Sequence, residues 1–312
     1  MKLKFLKLVL PCCASLMMLA GCNGEEEDPF KNDTYVGTYY DGYDLTKKTN
    51  QLQVELQKQC FDKHSVFVKY TDFRNWCSYT ASHISVDAAP SDYGVGNRNE
   101  YFYTGKVNTG IGTREHVWPC ANSANLWVHD SGAGSHYVDG NGYVGGGSDL
   151  YHIRPSSSTV NTARGNSKYV DFDDPEFNDV RDKAIEVGDG GPYKLKVYGN
   201  KIDEEHLDYA DRAEPADAYK GDIARILVYV FIHYGYRGSY YNHEDMIGKL
   251  NLQNVIGYTS QDKVYQKLVE WNEMDPPSDT EIWRNDTVER IQGNRNPFVD
   301  HPSLLRRALL GK

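Results

Sequence analysis

The chain has 312 residues, a formal net charge of −10 and a mean hydropathy of −0.65. A hydrophobic share of 39%, with 12% aromatic residues, supplies a core and excludes a wholly disordered chain; beyond the N-terminal leader no run of ~18 apolar residues predicts a membrane span. The acidity argues at first sight against a protein that grips nucleic acid through bulk positive charge.

Met1 to Ala20 joins Lys2, Lys4 and Lys7 to an apolar run from Phe5 that only Lys7, Pro11 and Ser15 interrupt. That is the length of a signal-peptide core and too short for a spanning helix. It ends in Leu19-Ala20-Gly21-Cys22, which resembles the lipobox of bacterial lipoproteins. Residues 1–21 are therefore expected to leave and Cys22 to carry lipid, an ordinary secretory signal cut nearby being the alternative. Removal of the leader, which holds no acid, takes the net charge from −10 to −13. Residues 22–34 read as a solvated tether with the acidic run Glu25-Glu26-Glu27-Asp28, a run that also resembles a surface-export signal of some Gram-negative lipoproteins. The expected location is the outer membrane, on its periplasmic or cell-surface face. Of the six cysteines, Cys60, Cys77 and Cys120 remain in the mature chain. One disulfide with a thiol left over is expected outside the cytoplasm.

Next, Leu45 to Phe61 reads as a helix with Leu52 and Leu56 on one face. Residues 80–110 read as strands and loops. Residues 113–118 suit a short strand ended by Pro119, and Leu150 to Arg154 alternate like a second strand ended by Pro155. Between them, the window 131–148 holds seven glycines and is expected to be mostly loop, with Asp139-Gly140-Asn141-Gly142 a turn in preference to a calcium loop. The cluster Ser156 to Thr159 offers N-caps for a short helix carrying Asn161 and Arg164. Residues 171–220 hold 15 acids against 7 bases. Ile223, Ile226, Leu227, Val230, Phe231 and Tyr234 then follow a helical stripe, with Gly235 and Gly238 as stops. Val264 to Trp271 reads as another helix, ended by Pro276-Pro277. Ser278 with Glu281 fits a capping box that opens a helix from Asp279 to Gln292, stopped by Gly293. No internal repeat or linker divides the chain, so one mixed α+β domain over residues 35–312 is expected.

The order strand, loop, strand, helix can bring Glu115 and His116 against Asn161. A neutral His116 imidazole can take a proton from water near pH 7. Glu115 offers a carboxylate and Asn161 an amide carbonyl, oxygen donors that suit Mg²⁺ with water filling the other positions. Such a cation stabilises charge on a pentacoordinate phosphorus, and Arg154 and Arg164 could hold phosphate oxygens as planar forks. Taken singly these residues read as an ordinary strand, a cap and surface ion pairs; their joint order makes the case for phosphodiester hydrolysis.

Arg114-Glu115-His116-Val117-Trp118-Pro119, Asp149-Leu150-Tyr151-His152-Ile153-Arg154-Pro155, Val160-Asn161 and Arg164-Gly165-Asn166 resemble the bacterial endonuclease I family, nucleases of the ββα-metal (His-Me finger) class. The tail resembles that family's C-terminal signature in Trp271-Asn272-Glu273-Met274-Asp275-Pro276, Arg284-Asn285 and Gln292 to Pro302. The resemblance implies a ββα core at about residues 111–170, His116 as general base, and Glu115 and Asn161 as the protein ligands of one Mg²⁺, with Mn²⁺ or Ca²⁺ as substitutes. It implies a monomer cutting DNA, and often RNA, with little sequence preference, to 5′-phosphate and 3′-hydroxyl ends. Arg114, His152, Arg164 and Asn166 are carried over as substrate-binding or supporting residues.

This chain departs from the family in three places. Tyr151 stands where many members have a supporting histidine. Cys120 stands where a lysine usually follows the first motif's proline. No arginine or lysine lies between His116 and Arg154, so a product-holding arginine is absent or moved to Arg154. The competing expectation is a glycan-binding surface lipoprotein, drawn from the lipobox, the acidity and 24 tyrosines; the Glu115, His116 and Asn161 order has no role in it. His233 reads as an ordinary helix residue and His301 as a packing residue.

Overall fold

A computed structural model describes residues 33–66, 68, 99–108, 112–119, 138–139, 142–143, 146–199, 210–235 and 250–312. The leader, Cys22, Cys77, Cys120 and most of the tether lie outside the described residues, and with them the expectations of lipidation and disulfide pairing. Cys60 is buried as a free thiol.

The fold is mixed α+β, as expected. Helix α1 (Thr49–Lys63) buries Leu52, Leu56 and Cys60 on its inner face. Strands β1 (Asn99–Tyr101) and β2 (Lys106–Asn108) form an antiparallel hairpin. Strand β3 (Thr113–His116) begins where the sequence places it; β4 (Val138–Asp139) and β5 (Gly142–Tyr143) pair antiparallel, while Gly140 and Asn141 of the expected turn lie outside the described residues. Strand β6 (Ile153–Ser156) differs from expectation: it starts three residues late and runs through Pro155. Residues 149–153 instead close a turn in which the Asp149 carbonyl accepts from His152 N (3.0 Å) and Ile153 N (2.9 Å). Pro155 fits because its own carbonyl, the group a proline keeps, accepts from Phe102 N at 2.8 Å.

After β6 comes α2 (Ser158–Arg164), opened by Ser157, whose hydroxyl accepts from Val160 N. The acidic region supplies three of the four strands of a sheet ordered β7 (Lys168–Tyr169), β10 (Arg212–Glu214), β9 (Leu195–Tyr198), β8 (Ile185–Val187), with β7–β10 parallel and the other pairs antiparallel. Helix α3 (Asp217–Gly235) follows. The expected one-sided stripe is corrected here. Val228, Tyr229 and His233 are as buried as Ile223 and Leu227, whereas Phe231, assigned to the stripe, is only partly buried. Helices α1 and α4 (Gln261–Met274) and the C-terminal segment cover α3, so a helix apolar nearly all round becomes the axis of the core.

Helix α5 (Asp279–Gln292) has the expected ends: the Ser278 hydroxyl accepts from Glu281 N, and Gly293 takes φ +89°. A Cβ on Gly293 would meet the Lys63 carbonyl at 2.4 Å, so the residue must be glycine for packing as well as for φ. The Glu281 carboxylate does not close the box; it pairs with Arg225 at 2.8 and 2.5 Å. Helices α6 (Pro297–Asp300) and α7 (Ser303–Leu310) finish the chain. Among the described residues no helix is long and apolar enough to cross a membrane.

Candidate active site

Strands β3 and β6 pair antiparallel with Glu115 opposite Arg154 and His116 opposite Ile153, and α2 packs on this ribbon. Gly112 precedes the ribbon at φ +62°; a Cβ there would lie 2.2 Å from the Ser156 carbonyl, so only glycine lets the strands close. Asn161 reaches from α2 to β3. Its amide nitrogen donates to Thr113 Oγ1 (3.0 Å) and to the Arg114 carbonyl (3.1 Å), which makes the amide oxygen the atom it can offer to a cation.

Glu115 is buried. Its Oε1 accepts from Tyr103 Oη at 2.6 Å and lies 3.5 Å from Arg164 Nε. Burial pushes its carboxyl above the usual range, against the opposing pull of Arg164 and Tyr103. A buried carboxylate with one hydroxyl donor and one guanidinium is incompletely compensated, and a cation would favour its ionised form. With the Asn161 carbonyl it forms an all-oxygen donor set of the hard type. By this test the residues fit Mg²⁺.

His116 is half-buried. Its Nε2 donates to the Gly147 carbonyl at 2.9 Å, which in the neutral ring puts the proton on Nε2 and the basic lone pair on Nδ1. Burial lowers its pKa to about 4, and the charges of Arg114 and Arg164 act in the same direction. The ring is therefore neutral, the state a general base requires.

The two arginines expected to fork phosphate are placed otherwise. Arg164 is 1% exposed. Its guanidinium donates to the carbonyls of His116 (3.3 Å), Val117 and Gly165 (3.0 Å) and stacks 4.5 Å from the Tyr169 ring. It clamps the end of β3 and faces Glu115, a supporting role in place of a substrate contact. Arg154 is 6% exposed, lies 5.7 Å over the Phe102 ring, and its charge acts on Asp222 and Glu281. Arg114, half-buried and close enough to influence His116, is the better-placed cation. Asn166 is exposed just beyond α2 and lines an open groove.

His152 is fully buried between two backbone segments: Nδ1 donates to the Gly146 carbonyl (2.7 Å) and Nε2 accepts from Trp118 N (2.9 Å). Burial lowers its pKa to about 3. It ties the chain just after β3 to Gly146 and is positioned away from solvent.

Sequence reasoning missed several residues. Tyr103 sits at φ +76°, an unfavourable conformation for a non-glycine residue, and its phenol joins Glu115 to Tyr169, whose Oη lies 2.5 Å away. Tyr169 Oη in turn donates to the Val117 carbonyl at 3.0 Å. Asp149 is a buried hub: Oδ2 accepts from Tyr229 (2.7 Å) and Tyr234 (2.6 Å), and Oδ1 from Tyr151 N (2.7 Å) and Gln292 (3.2 Å). Beside it His64 Nδ1 lies 3.0 Å from His233 Nε2, so His233 is no ordinary helix residue. These three side chains gather their ligand atoms within 4.8 Å, but protein donors already satisfy the carboxylate.

The tail is scaffold. Tyr151, in place of a histidine, donates to the carbonyls of Asn294 (2.9 Å) and Asn285 (3.2 Å); Arg284 donates to the Leu150 carbonyl (2.5 Å). Arg295 and Asp300 form a two-bond pair, 2.7 Å each, beneath these contacts. His301 is buried against Tyr40, as a packing residue should be.

The profile of the family described as Endonuclease I matches residues 42–303. Over 196 residues the chain is 35% identical to a protein named extracellular ribonuclease from Bacillus subtilis (strain 168). Over 196 residues it is 34% identical to one of the same name from Bacillus amyloliquefaciens. Each alignment covers 62% of this chain and 53% of the relative, so the chain matches about half the length of these curated relatives.

Proposed function

Because the chain belongs to the endonuclease I family, we propose that it is a secreted, Mg²⁺-dependent endonuclease that hydrolyses phosphodiester bonds of RNA and DNA. The carrying observation is the convergence, on one ribbon and one helix, of a neutral His116 with a fixed tautomer, an under-compensated Glu115 and an Asn161 whose amide nitrogen is tied back to β3. RNA enters the proposal through the names of the two bacillary relatives.

In this reading His116 Nδ1 takes the proton of a water whose oxygen attacks phosphorus. The bond to the 3′ oxygen breaks, and that oxygen acquires a proton from solvent. The products are a 5′-phosphate and a 3′-hydroxyl. Glu115 and Asn161 would hold the cation, which when bound supplies charge stabilisation on the phosphoryl and leaving oxygens. Arg164 keeps Glu115 and the β3 backbone in place, and Arg114 faces the phosphate. The nuclease domain spans residues 35–312. Residues 1–21 direct export and Cys22 anchors the chain by lipid to the outer membrane, a proposal that rests on the Leu19-Ala20-Gly21-Cys22 sequence alone.

The test is incubation of the mature chain with plasmid DNA and with a long RNA, in Mg²⁺ and in EDTA. Cleavage of either polymer in Mg²⁺, abolished by EDTA and by Glu115→Ala, is expected. Cleavage that persists in EDTA overturns the metal assignment, and absence of cleavage of both polymers overturns the function.

A further inference from the structure

The sheet beyond the catalytic ribbon carries an arrangement of charge that folding alone does not favour. In the parallel pair β7–β10, Lys168 and Arg212 are direct register partners, and both line one open groove with Asn166, Asp211 and Asn254. Like charges directly opposite each other on neighbouring strands are destabilising. The same sheet shows the ordinary solution nearby, where Glu214 is the register partner of Lys196 and the two are ion-paired at 3.3 Å. Two further cations of this acid-rich region are neutralised in the same way: Lys220 meets Glu214 (3.1 Å) and Asp217 (2.9 Å), and Arg181 meets Asp173 (3.4 Å). Lys168 and Arg212 do otherwise. Lys168 Nζ donates to the Gln253 carbonyl at 2.8 Å, Arg212 lies 5.9 Å over the Phe177 ring, and neither is ion-paired among the described residues. Two adjacent cations without an ion-pair partner among the described residues thus stand together, Lys168 just before the most acidic stretch of the chain and Arg212 within it.

Their position relative to the site is set by α2. Asn161 lies on its second turn, and Asn166 follows Gly165, which ends the helix at φ 48° and ψ −121°; five residues of chain separate the two by at most ~18 Å. That places the groove within a few nucleotides of the site along a stacked strand. Tyr198, the register partner of Arg212 on the other side, packs against the hydrophobic core, so the groove itself is lined by the two cations and polar side chains. Adjacent cations along an open groove are the element that tracks the phosphates of a bound strand.

We propose that this groove is a backbone-binding subsite for a nucleic-acid strand, engaging phosphates within a few nucleotides of the bond that is cut. The proposal rests on the nuclease reading for its substrate and on the Lys168–Arg212 register for its place. It gives Asn166 a role at the groove wall, between the catalytic ribbon and the two cations.

The experiment uses the full mature chain with Lys168→Gln and Arg212→Gln combined, against a charge-retaining Lys168→Arg, Arg212→Lys control. Binding of a fluorescein-labelled 12-nucleotide strand is read by anisotropy in the cleavage-deficient His116→Ala background across a salt series. The neutral pair is expected to raise Kd about tenfold and to reduce the salt slope by about 1.4, two contacts at about 0.7 each; the control is expected to restore both. In the parent background, the ratio of kcat/KM on a long strand to that on a bis-aryl phosphodiester is expected to fall about tenfold. An unchanged Kd and salt slope overturn the proposal. So does a fall in kcat/KM that is equal for the two substrates, because that marks a general structural effect. A chain that cleaves nothing yet loses strand affinity on substitution overturns the nuclease reading and leaves the groove standing.

Discussion

The Glu115 site and the Asp149 hub are built from the same parts: a buried carboxylate, tyrosine hydroxyls, buried histidines and a neighbouring turn. They differ in how completely the protein satisfies the charge. Asp149 receives four hydrogen bonds from groups on three segments, at 2.6 to 3.2 Å. Glu115 receives one hydroxyl at 2.6 Å and a guanidinium at 3.5 Å, and burial raises its pKa. A saturated carboxylate organises the fold; an under-supplied one can still bind something. The difference lies in donors, since both groups are almost fully enclosed.

Substitutions should separate the two regions. The largest expected effect is on activity: His116→Ala should lower cleavage by about 10²–10⁴-fold while the thermal midpoint stays near that of the parent, measured by a plasmid assay and a melting curve on one preparation. Loss of the fold in that variant would erase the contrast. Asp149→Ala should do the reverse. It leaves four buried donors without an acceptor and should cost at least about 3 kcal/mol, read from urea unfolding, with activity per folded molecule retained.

A smaller effect is expected from pH. His152 is neutral in the fold, with its pKa lowered by burial to about 3; unfolded, it titrates near 6.5. Above about 6.5 both states are neutral and stability is level. As pH falls through the window from about 6.5 to about 3 the unfolded state takes the proton first, and stability declines by about 2 kcal/mol at pH 5. His152→Asn should flatten that decline in denaturant titrations at stepped pH. The smallest effect is Ser278→Ala, which removes one cap from α5 at about 1 kcal/mol; a change in cleavage on top of that loss would show α5 to be more than scaffold.

Much of the β3–β6 ribbon is legible because its signals are local. The Glu115-His116 strand, the serine cap of α2 and the Ser278 to Gly293 helix each depend on residues a few positions apart, and the structure has all three. What was misread depends on tertiary surroundings. Leu150 to Arg154 alternates like a strand, but Asp149 takes its first residues into a turn. The α3 stripe identified one face of a helix that the fold covers all round. Arg154 and Arg164 carry the residue type for phosphate, but nothing in their own neighbourhood announces burial. Tyr103 and Asp149 acquire their roles only when segments 12 to 143 residues away arrive.

His152 joins Trp118 to Gly146 with one ring, one just after β3 and the other on the approach to β6. The ring works as a non-covalent staple that holds the exit from β3 and the approach to β6 together. Two strands so far apart in sequence have no tight turn to set their register, so a buried side chain takes over that task at the end of the ribbon beside His116.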